Sequence, residues 1–439
     1  MMKIEEQQIL LDKLGIASLN EMQQAACGAI LDHRDTLLLS PTGSGKTLAF
    51  LLPIFEHLNP KGKQVQVMVL TPSRELAIQT EQVWKKMATG YKIICAYGGH
   101  DMPAEIQSLV EPPALLVGTP GRIADHLKRR SFNPSAIRIL VFDEFDKSLA
   151  LGFEEDMAYI TKALKSNIQK VFVSATAAIE IPAFTNPPEL EVLNFLHEHH
   201  AAADIRMYRV NSPEKDKIDT LVQLLCHLGP VQALIFCNHR EAVERTGQLL
   251  KEKGIPNTIF HGGMEQMQRE QALIKFRNGT ALYLVATDLA ARGLDIPDIN
   301  HIIHYHLPST MAEFTHRNGR TARMNASGEV YLIMHSEEEL PKYIDMEPDD
   351  LQLKPAPLPA ASPWTTVYIN GGKKDKLNKV DIVGLFMQKG GLSKAELGLI
   401  VVKDQNAFVA VRKNKLRLLL NAVQSEKIKG KKFLIAEAK

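Results

Sequence analysis

A glycine-bearing loop near the N-terminus has the residue types that bind phosphate. It reads SPTGSGKT and stands between the apolar run TLLL and the helix-compatible LAFLLPIFEHL. In a strand, loop and helix arrangement, backbone N–H groups of such a loop cradle phosphate oxygens. Lys46 can reach the β and γ oxygens of a nucleoside triphosphate, and Thr47 can hold its Mg²⁺. The residues expected to bind the nucleotide are Thr42, Gly43, Ser44, Gly45, Lys46 and Thr47.

A group of carboxylates follows another apolar run further along the chain. The segment reads ILVFDEFD, and a core strand does not tolerate Asp143, Glu144 and Asp146 without a polar task. Asp143 can bind Mg²⁺, and Glu144 can orient or deprotonate an attacking water. Together with Lys46, these residues predict hydrolysis of a nucleoside triphosphate.

A third segment, HRNGRTAR, places three arginines at spacings of three residues. Arginines that are offered across a domain interface can stabilise the charge that develops on a γ-phosphate. Arg320 and Arg323 are therefore candidate catalytic residues. On its own, the same segment could equally be an ordinary basic helix.

The elements that must position these residues follow a regular rhythm. Short runs rich in Val, Ile and Leu are each followed by a small or polar turn and then by a helix-compatible stretch. Runs that are uniformly apolar fit parallel strands buried on both faces. We therefore predict two tandem doubly wound α/β domains, over residues 1–200 and 205–350.

The remainder of the chain changes character. Residues 351–363 include KPAPLPAASP, whose composition is typical of a semi-rigid linker. In residues 364–439, TVYING and NAFVAVR read as strands, and KVDIVGLFMQKG and RLLLNAVQSEK as amphipathic helices. The resulting β-α-β-β-α-β order predicts a small α+β domain.

Charge is distributed unevenly between these parts. Residues 364–439 contain 16 Lys and Arg against 6 Asp and Glu, a net charge of +10, whereas residues 1–363 carry −8. A basic domain of this kind favours a polyanionic partner, because each neutralised phosphate releases counterions. A merely solvated basic face is the alternative.

Composition narrows the class of protein. No apolar run approaches the ~18 residues that span a bilayer, and the N-terminus carries Glu where a signal peptide has Lys or Arg. We expect a cytoplasmic protein with no membrane partner. The four cysteines are scattered, which argues against a zinc site or a disulfide framework. The histidines at 197, 199 and 200 are interpreted as linker or surface residues, and nothing in the sequence suggests a dimer.

These motifs, in this order, resemble the DEAD-box family of RNA helicases over residues 10–345. The resemblance implies two RecA-like domains, ATP and Mg²⁺ as nucleotide and metal, and RNA as substrate. Phe145 and Ala322 stand where the family has Ala and Gly, but neither change removes a charge or a donor. The other matching segments are TPSRELA (71–77), GG (98–99), TPGR (119–122), SAT (174–176), LIFCN (234–238), HGGMEQMQR (261–269) and ATDLAARGLD (286–295).

Roles for individual residues follow from this resemblance. Gln23 would read adenine, Gly293 and Asp295 would approach the nucleotide from the second domain, and Arg320 and Arg323 would be arginine fingers. Ser174 and Thr176 would couple the two domains. The RNA backbone would be lined by Pro72, Arg74, Gly99, Thr119, Arg122, Arg269 and Thr287. Contacts to phosphate and sugar carry little sequence preference.

The C-terminal segment resembles the RNA-binding domain of the DbpA-type helicases, an RRM-like fold. That resemblance implies a hairpin of 23S-type large-subunit ribosomal RNA, within a pre-ribosomal particle, as the partner. Only Tyr368 and Phe408 could stack bases in the usual RRM manner, so basic residues are better candidates for RNA contacts. They are Lys373, Lys374 and Lys376 first, then Lys379, Arg412, Lys413 and Lys415.

The function expected from the sequence is that of a monomeric, RNA-stimulated ATPase that unwinds or remodels structured RNA locally. An ATP-gated RNA clamp would carry the same motifs, and a duplex-release assay would distinguish it. A DNA helicase is disfavoured by the DEAD-type motif set.

Overall fold

The computed structural model describes residues 4–41, 43–99, 101–176, 181–185, 189–196, 205–288, 299–319, 321, 328–344 and 346–438. These residues form two compact units that are divided at residue 200. Within the described ranges, no helix is both long enough and apolar enough to cross a membrane.

The first unit alternates helices and strands along the chain. They are α1 (Ile4–Leu14), α2 (Glu21–Leu31), β1 (Asp35–Leu39), α3 (Lys46–His57), β2 (Val67–Leu70), α4 (Arg74–Met87), β3 (Ile93–Ala96), α5 (Met102–Leu109), β4 (Leu115–Gly118), α6 (Pro120–Lys128), β5 (Ile139–Asp143), α7 (Phe145–Ala150), α8 (Glu154–Ala163), β6 (Gln169–Ser174) and β7 (Leu190–Asn194).

The strands of the first unit pair in the order β3-β4-β2-β5-β6-β1-β7, and every described pairing is parallel. Strands β1, β2, β4, β5 and β6 are buried along their whole length, because apolar clusters cover both faces of the sheet. The predicted doubly wound α/β architecture is confirmed. Since all strands point the same way, their carboxyl ends share one edge of the sheet.

The second unit holds a second α/β domain followed by a smaller domain. Its elements are β8 (Ile205–Ser212), α9 (Ile218–Leu228), β9 (Ala233–Phe236), α10 (Arg240–Glu252), β10 (Thr258–Phe260), α11 (Gln266–Arg277), β11 (Tyr283–Ala286), β12 (His301–His304), α12 (Met311–Asn318), β13 (Gly328–His335), β14 (Asp349–Asp350), β15 (Trp364–Ile369), α13 (Lys379–Gln388), β16 (Leu397–Val402), β17 (Ala407–Arg412), α14 (Leu416–Val423) and β18 (Ile435–Glu437).

Two sheets organise this unit. The first is parallel, with strand order β10-β11-β9-β12-β13-β8-β14. The second is antiparallel, with order β16-β17-β15-β18. Helices α13 and α14 pack on one face of the antiparallel sheet around Val367, Phe386, Val409 and Leu419. The predicted β-α-β-β-α-β domain is confirmed.

The opposite face of the antiparallel sheet contacts the second α/β domain. Thr366 is almost fully buried there, and its Oγ1 accepts a hydrogen bond of 2.8 Å from Nδ2 of Asn278. The hydroxyl of Thr280 lies 2.8 Å from the same atom. At the margin of the contact, Nζ of Lys403 lies 2.5 Å from a carboxylate oxygen of Glu270. The small domain is therefore held against its neighbour by polar contacts that its own sequence does not reveal.

Replacing Thr366 with Val tests this contact. The variant removes the acceptor of the Asn278 amide, and an unpaired buried donor costs about 1–3 kcal/mol. We expect residues 351–363 to become more sensitive to limited proteolysis as the small domain detaches. Thr365→Val is the matched control, because the Thr365 hydroxyl bonds Glu437 within the small domain itself. Equal proteolysis of both variants would contradict the role assigned to Thr366.

Candidate active site and RNA interface

The phosphate loop connects β1 to α3 in a form that needs glycine. Gly43 and Gly45 have φ values of 87° and 89°, which only glycine adopts without strain. Lys46 begins α3, and its Nζ donates hydrogen bonds of 2.7 and 2.8 Å to the carbonyl oxygens of Ser40 and Pro41. Its ammonium group is thus held against the first residues of the loop.

Gln23 lies against this loop. It is the third residue of α2, where its side chain and that of Asn20 cap the helix reciprocally. The Gln23 amide also donates to the carbonyl oxygen of Gly45 at 3.3 Å, and Asn20 donates to that of Ser44 at 3.2 Å. A Cβ on Gly45 would come within 2.4 Å of the Gln23 amide nitrogen. The structure therefore gives Gln23 a contact with the phosphate loop, while its role toward adenine stays a prediction.

The carboxylates lie at the end of β5, in the same edge of the sheet. Asp143 is 3% exposed, and its Oδ2 has no hydrogen-bond donor among the residues that the structure describes. Burial, reinforced by the neighbouring Glu144, raises the pKa of Asp143 to about 7. Burial also lowers the pKa of Lys46 to about 8, although the nearby carboxylates oppose that shift. A buried carboxylate oxygen without a donor fits a hard cation such as Mg²⁺.

Glu144 adopts an unusual backbone conformation. Its φ and ψ are 49° and 48°, in the left-handed region that non-glycine residues rarely occupy, and it caps the N-terminus of α7. One carboxylate oxygen lies 2.6 Å from Nζ of Lys147. The strained turn and the ion pair with Lys147 together fix the position of this carboxylate, and its role toward an attacking water stays a prediction.

Phe145 has a structural explanation. Its side chain is 2% exposed and meets the ring of Phe172 edge to face, with centroids 5.6 Å apart. Phe142 stacks on the same ring at 4.9 Å. The large residue at this position fills the core beneath the acidic turn and leaves the carboxylates in place.

Ser174 and Thr176 connect the acidic turn to the end of β6. The Ser174 hydroxyl accepts from the backbone N–H of Thr176 at 3.0 Å, which fixes a tight turn. Thr176 then donates to a carboxylate oxygen of Asp146 at 3.4 Å. The backbone N–H of Ser40 donates to the carbonyl of Ser174, so the turn also touches the phosphate loop.

The residues predicted to line the RNA path follow the three strands at one end of this edge. Pro72 and Arg74 follow β2, Gly99 follows β3, and Thr119 and Arg122 follow β4. These strands are neighbours, in the order β3-β4-β2. The structure thus brings the five residues to one half of the edge, whereas the ATP-binding candidates occupy the ends of β5, β6 and β1.

Two of these residues are held by specific contacts. A Cβ on Gly99, whose φ is 93°, would lie 2.7 Å from a guanidinium nitrogen of Arg74, so the glycine lets the arginine lie across it. Arg122 donates from Nε to the carbonyl of Tyr97 at 3.2 Å and lies 3.0 Å from Glu105. His126 shares that Glu105 oxygen at 2.8 Å.

In the second α/β domain, Arg269 and Thr287 are both largely buried. The guanidinium of Arg269 lies over the ring of Phe260 at 5.1 Å. Thr287 follows β11 and donates its backbone N–H to Phe260. The candidate residues outside the described parts of the chain are Thr42, Gly293, Asp295, Arg320 and Arg323, together with the histidines at 197, 199 and 200.

Arg317, the first arginine of HRNGRTAR, is not offered to a ligand. It is 1% exposed, and it binds both carboxylate oxygens of Asp288 at 2.6 Å. It also donates to the side chain of Asn238 and to the carbonyl of His306. These three partners lie two residues beyond the ends of β11, β9 and β12. The sequence signal for this buried cluster was a polar residue two positions after each of three neighbouring strands. The spacing of the three arginines did not reveal it.

The lysine turn of the small domain, Lys373–Lys376, projects into solvent. Gly371 and Gly372 allow it to pack closely, since a Cβ on Gly372 would meet the carbonyl of Lys403 at 2.3 Å. Lys373, Lys374 and Lys376 are exposed, and none of them pairs with a carboxylate in the described parts of the chain. By contrast, Phe408 on the sheet is 2% exposed. This arrangement favours the lysine turn over base stacking on Phe408.

Comparisons with known proteins agree with this geometry. The family model described as DEAD/DEAH box helicase matches residues 20–183, the helicase conserved C-terminal domain matches 216–325, and the DbpA RNA binding domain matches 366–437. The ATP-dependent RNA helicase DbpA of Escherichia coli (strain K12) is 33% identical over 96% of this chain and 94% of its own. The chain belongs to the DbpA-type DEAD-box RNA helicases.

Further similarities support the same assignment. DbpA of Bacillus subtilis (strain 168) is 30% identical over 98% of this chain and 96% of its own. Among solved structures, Saccharomyces cerevisiae Dbp5 bound to RNA and ADP BeF3 aligns with a TM-score of 0.70 and 26% identity, over 79% of this chain and 93% of that one. The DbpA-type chain described here is therefore an RNA-dependent ATPase with two RecA-like domains and an RNA-binding domain.

Replacing Arg317 with Ala tests the buried cluster. Removing one partner of a buried ion pair costs about 3–5 kcal/mol, because Asp288 is left charged and unpaired. In a Trp84→Phe background, Trp364 is the one remaining tryptophan, and its fluorescence follows the unfolding of the second unit in urea. The urea concentration at the midpoint of this unfolding should fall in the Arg317→Ala variant. The control is Arg245→Ala, whose pair with Asp216 is about half exposed and contributes about 1 kcal/mol at most. Equal losses from the two variants would contradict the proposed role of the buried cluster.

Proposed function

We propose that this DbpA-type helicase remodels structured RNA of the assembling large ribosomal subunit, with its C-terminal domain selecting the site. The observation that carries the proposal is the exposed turn of Lys373, Lys374 and Lys376, in a domain of the DbpA RNA-binding type. Three adjacent ammonium groups suit the phosphates of a folded RNA hairpin. The ribosomal target and the pre-ribosomal particle are inferred from the DbpA-type resemblance, and we propose that the chain acts as a cytoplasmic monomer.

In the proposed reaction, the loop at Gly43–Gly45 cradles the phosphates of ATP, and Lys46 turns from its carbonyl partners to the β and γ oxygens. Thr47 and Asp143 would hold Mg²⁺, which would neutralise phosphate charge. Glu144 orients the attacking water and accepts its proton. The backbone conformation of Glu144 and its contact with Lys147 support this role, because they fix the carboxylate before the substrate arrives.

RNA stimulates this reaction by drawing the two α/β domains together. We propose that Arg320 and Arg323, with Gly293 and Asp295, then reach the nucleotide from the second domain. Ser174 and Thr176 relay the change, since Thr176 already touches Asp146 beside the catalytic carboxylates. Release of phosphate reverses the closure, as expected for ligands that bind one conformation more tightly.

The water-activating role predicts the behaviour of Glu144→Gln. The amide keeps the size of the side chain but cannot accept a proton, and loss of general-base catalysis costs about 10²–10⁴-fold in rate. We expect RNA-stimulated kcat to fall by at least 100-fold while ATP and RNA still bind. A kcat near that of the unmodified protein would assign the role to another residue.

The targeting role predicts a selective defect in the variant Lys373→Ala/Lys374→Ala/Lys376→Ala. ATP hydrolysis is titrated with large-subunit ribosomal RNA and with unrelated RNA of equal length. We expect the concentration of ribosomal RNA at half-stimulation to rise about tenfold, since each phosphate contact contributes to affinity. The corresponding concentration of unrelated RNA should rise much less, because that RNA has no folded hairpin positioned on the turn.

A matched control for this experiment lies in the same domain. Lys389, Lys394 and Lys427 are also exposed but lie outside the turn, so their triple replacement by Ala removes the same charge. If both triple variants respond identically, the turn does not select the RNA. A duplex-release assay on the same proteins separates unwinding from a clamp that only retains RNA.

A further inference from the structure

A large groove with basic residues along its walls lies at the amino ends of the strands in the first α/β domain, at the edge of the sheet opposite the phosphate loop. Its volume is about 1690 Å³, which exceeds the roughly 300–1,000 Å³ of small-molecule sites. The segments at the amino ends of β2, β5, β6, β1 and β7 form its walls, and these strands are neighbours in that order. None of the described residues assigned above to ATP or RNA lines this amino-end groove.

Four of the five strands bring a basic residue to the amino-end groove, whereas β7 brings Glu189 and Glu191. Arg34 precedes β1, Lys63 precedes β2, Arg138 precedes β5 and Lys165 precedes β6. Arg34 is paired with Glu191 at 3.1 Å, but the other three are exposed and have no carboxylate partner in the described parts of the chain.

Two further lysines complete the charge of the lining. Lys61 is exposed and unpaired within the described residues, whereas Lys170, in the floor, lies 3.7 Å from Asp35. Glu189 is the remaining acidic residue of the lining. Six Lys and Arg therefore face three Asp and Glu, and four of the cations are free to meet an anion.

The turn that carries Lys61 and Lys63 is held in place by hydrogen bonds to the buried side chain of Gln66. Gln66 is 5% exposed, and its amide accepts from the backbone N–H of Asn59 at 2.7 Å and donates to the Asn59 carbonyl at 3.0 Å. The carbonyl of Gln66 also accepts from the backbone N–H of Arg138 at 2.8 Å. The groove is thus preorganised, which reduces the entropy lost when a ligand binds.

The lining indicates the kind of ligand. Protein interfaces need aromatic or aliphatic anchors, yet the groove contains no Phe, Tyr or Trp and none of its apolar residues is exposed. Single-stranded nucleic acid is bound largely by stacking, but the two histidines, His33 and His57, face each other with ring centroids 4.5 Å apart. Unpaired cations on a fixed polar frame suit the phosphates of a double helix, which is read by backbone and shape.

We propose that the amino-end groove binds the phosphate backbone of an RNA double helix that flanks the strand engaged by the helicase. Strands of four to six residues separate the two edges of the sheet by about 13–20 Å. A duplex adjoining the bound strand can span that distance. The proposal rests on the RNA binding of the family and is independent of the ribosomal target.

The test compares the full chain with Lys61→Ala/Lys63→Ala/Arg138→Ala/Lys165→Ala. Both are titrated with a single-stranded RNA and with the same strand carrying a flanking duplex, over a range of salt concentrations. We expect the variant to bind the flanked RNA at least tenfold more weakly, with a salt dependence shallower by about 0.9 for each phosphate that the variant no longer neutralises. Affinity for the single strand, and the ATP hydrolysis that it stimulates, should remain unchanged.

Matched controls separate this site from general charge. Lys86, Lys128, Arg130 and Lys162 are exposed in the same domain and lie outside the groove, so their replacement by Ala should leave the preference for flanked RNA intact. The proposal is overturned if the groove variant binds flanked RNA normally or loses single-strand affinity equally. It also fails if only inorganic polyphosphate distinguishes the variant, because the groove would then be a small-anion site. Ribosomal and unrelated flanks should give the same loss, which keeps this test apart from that of the targeting role.

Discussion

Five charged side chains are withdrawn from water at the carboxyl ends of β1 and β5, and the structure of the ATP site depends on how they balance. Lys46, Asp143, Glu144, Asp146 and Lys147 are each less than 10% exposed. An isolated buried charge is strongly destabilising. These five side chains are tolerated in the interior because two cations lie among three carboxylates. The balance leaves an excess of one negative charge. Burial, reinforced by the neighbouring Glu144, raises the pKa of Asp143, and the excess negative charge of the whole group favours a divalent cation.

The strand order of the first domain determines which segments lie beside this charged group. Because β1 lies between β6 and β7, the phosphate loop is placed beside the acidic turn after β5 and the Ser174–Thr176 turn after β6. The segments after β2, β4 and β3 occupy the other half of the same edge. One sheet edge therefore carries two adjacent groups of candidate residues, those for ATP after β1, β5 and β6 and those for RNA after β2, β3 and β4. The hydrogen bond between Thr176 and Asp146 joins the turns after β6 and β5 within the nucleotide half. The RNA half begins at β2, the strand next to β5.

Much of this could be predicted from the sequence, because the motifs combine local signals with strict spacing. Uniformly apolar runs predicted buried parallel strands, and the residues around Lys46 predicted a loop between a strand and a helix, which the structure places between β1 and α3. Long-range contacts were not predictable. The spacing of the three arginines does not show that Arg317 is buried among partners that follow three separate strands, and Gln23 shows its contact with Gly45 only in three dimensions. The docking of Thr366 against Asn278 and Thr280 joins two domains whose individual patterns give no sign of each other.

The separation of the sheet edge into a nucleotide half and an RNA half can be tested directly by measuring ATP and RNA affinities of the full chain in two variants. Arg74→Ala, in the RNA half, should weaken RNA binding about tenfold, as expected for the loss of a charged contact of ~1.4 kcal/mol, and leave ATP affinity without RNA unchanged. Lys46→Ala should weaken ATP binding and leave RNA affinity without nucleotide unchanged. If Arg74→Ala weakened ATP binding in the absence of RNA, or Lys46→Ala weakened RNA binding in the absence of ATP, the two halves would not be separate sites.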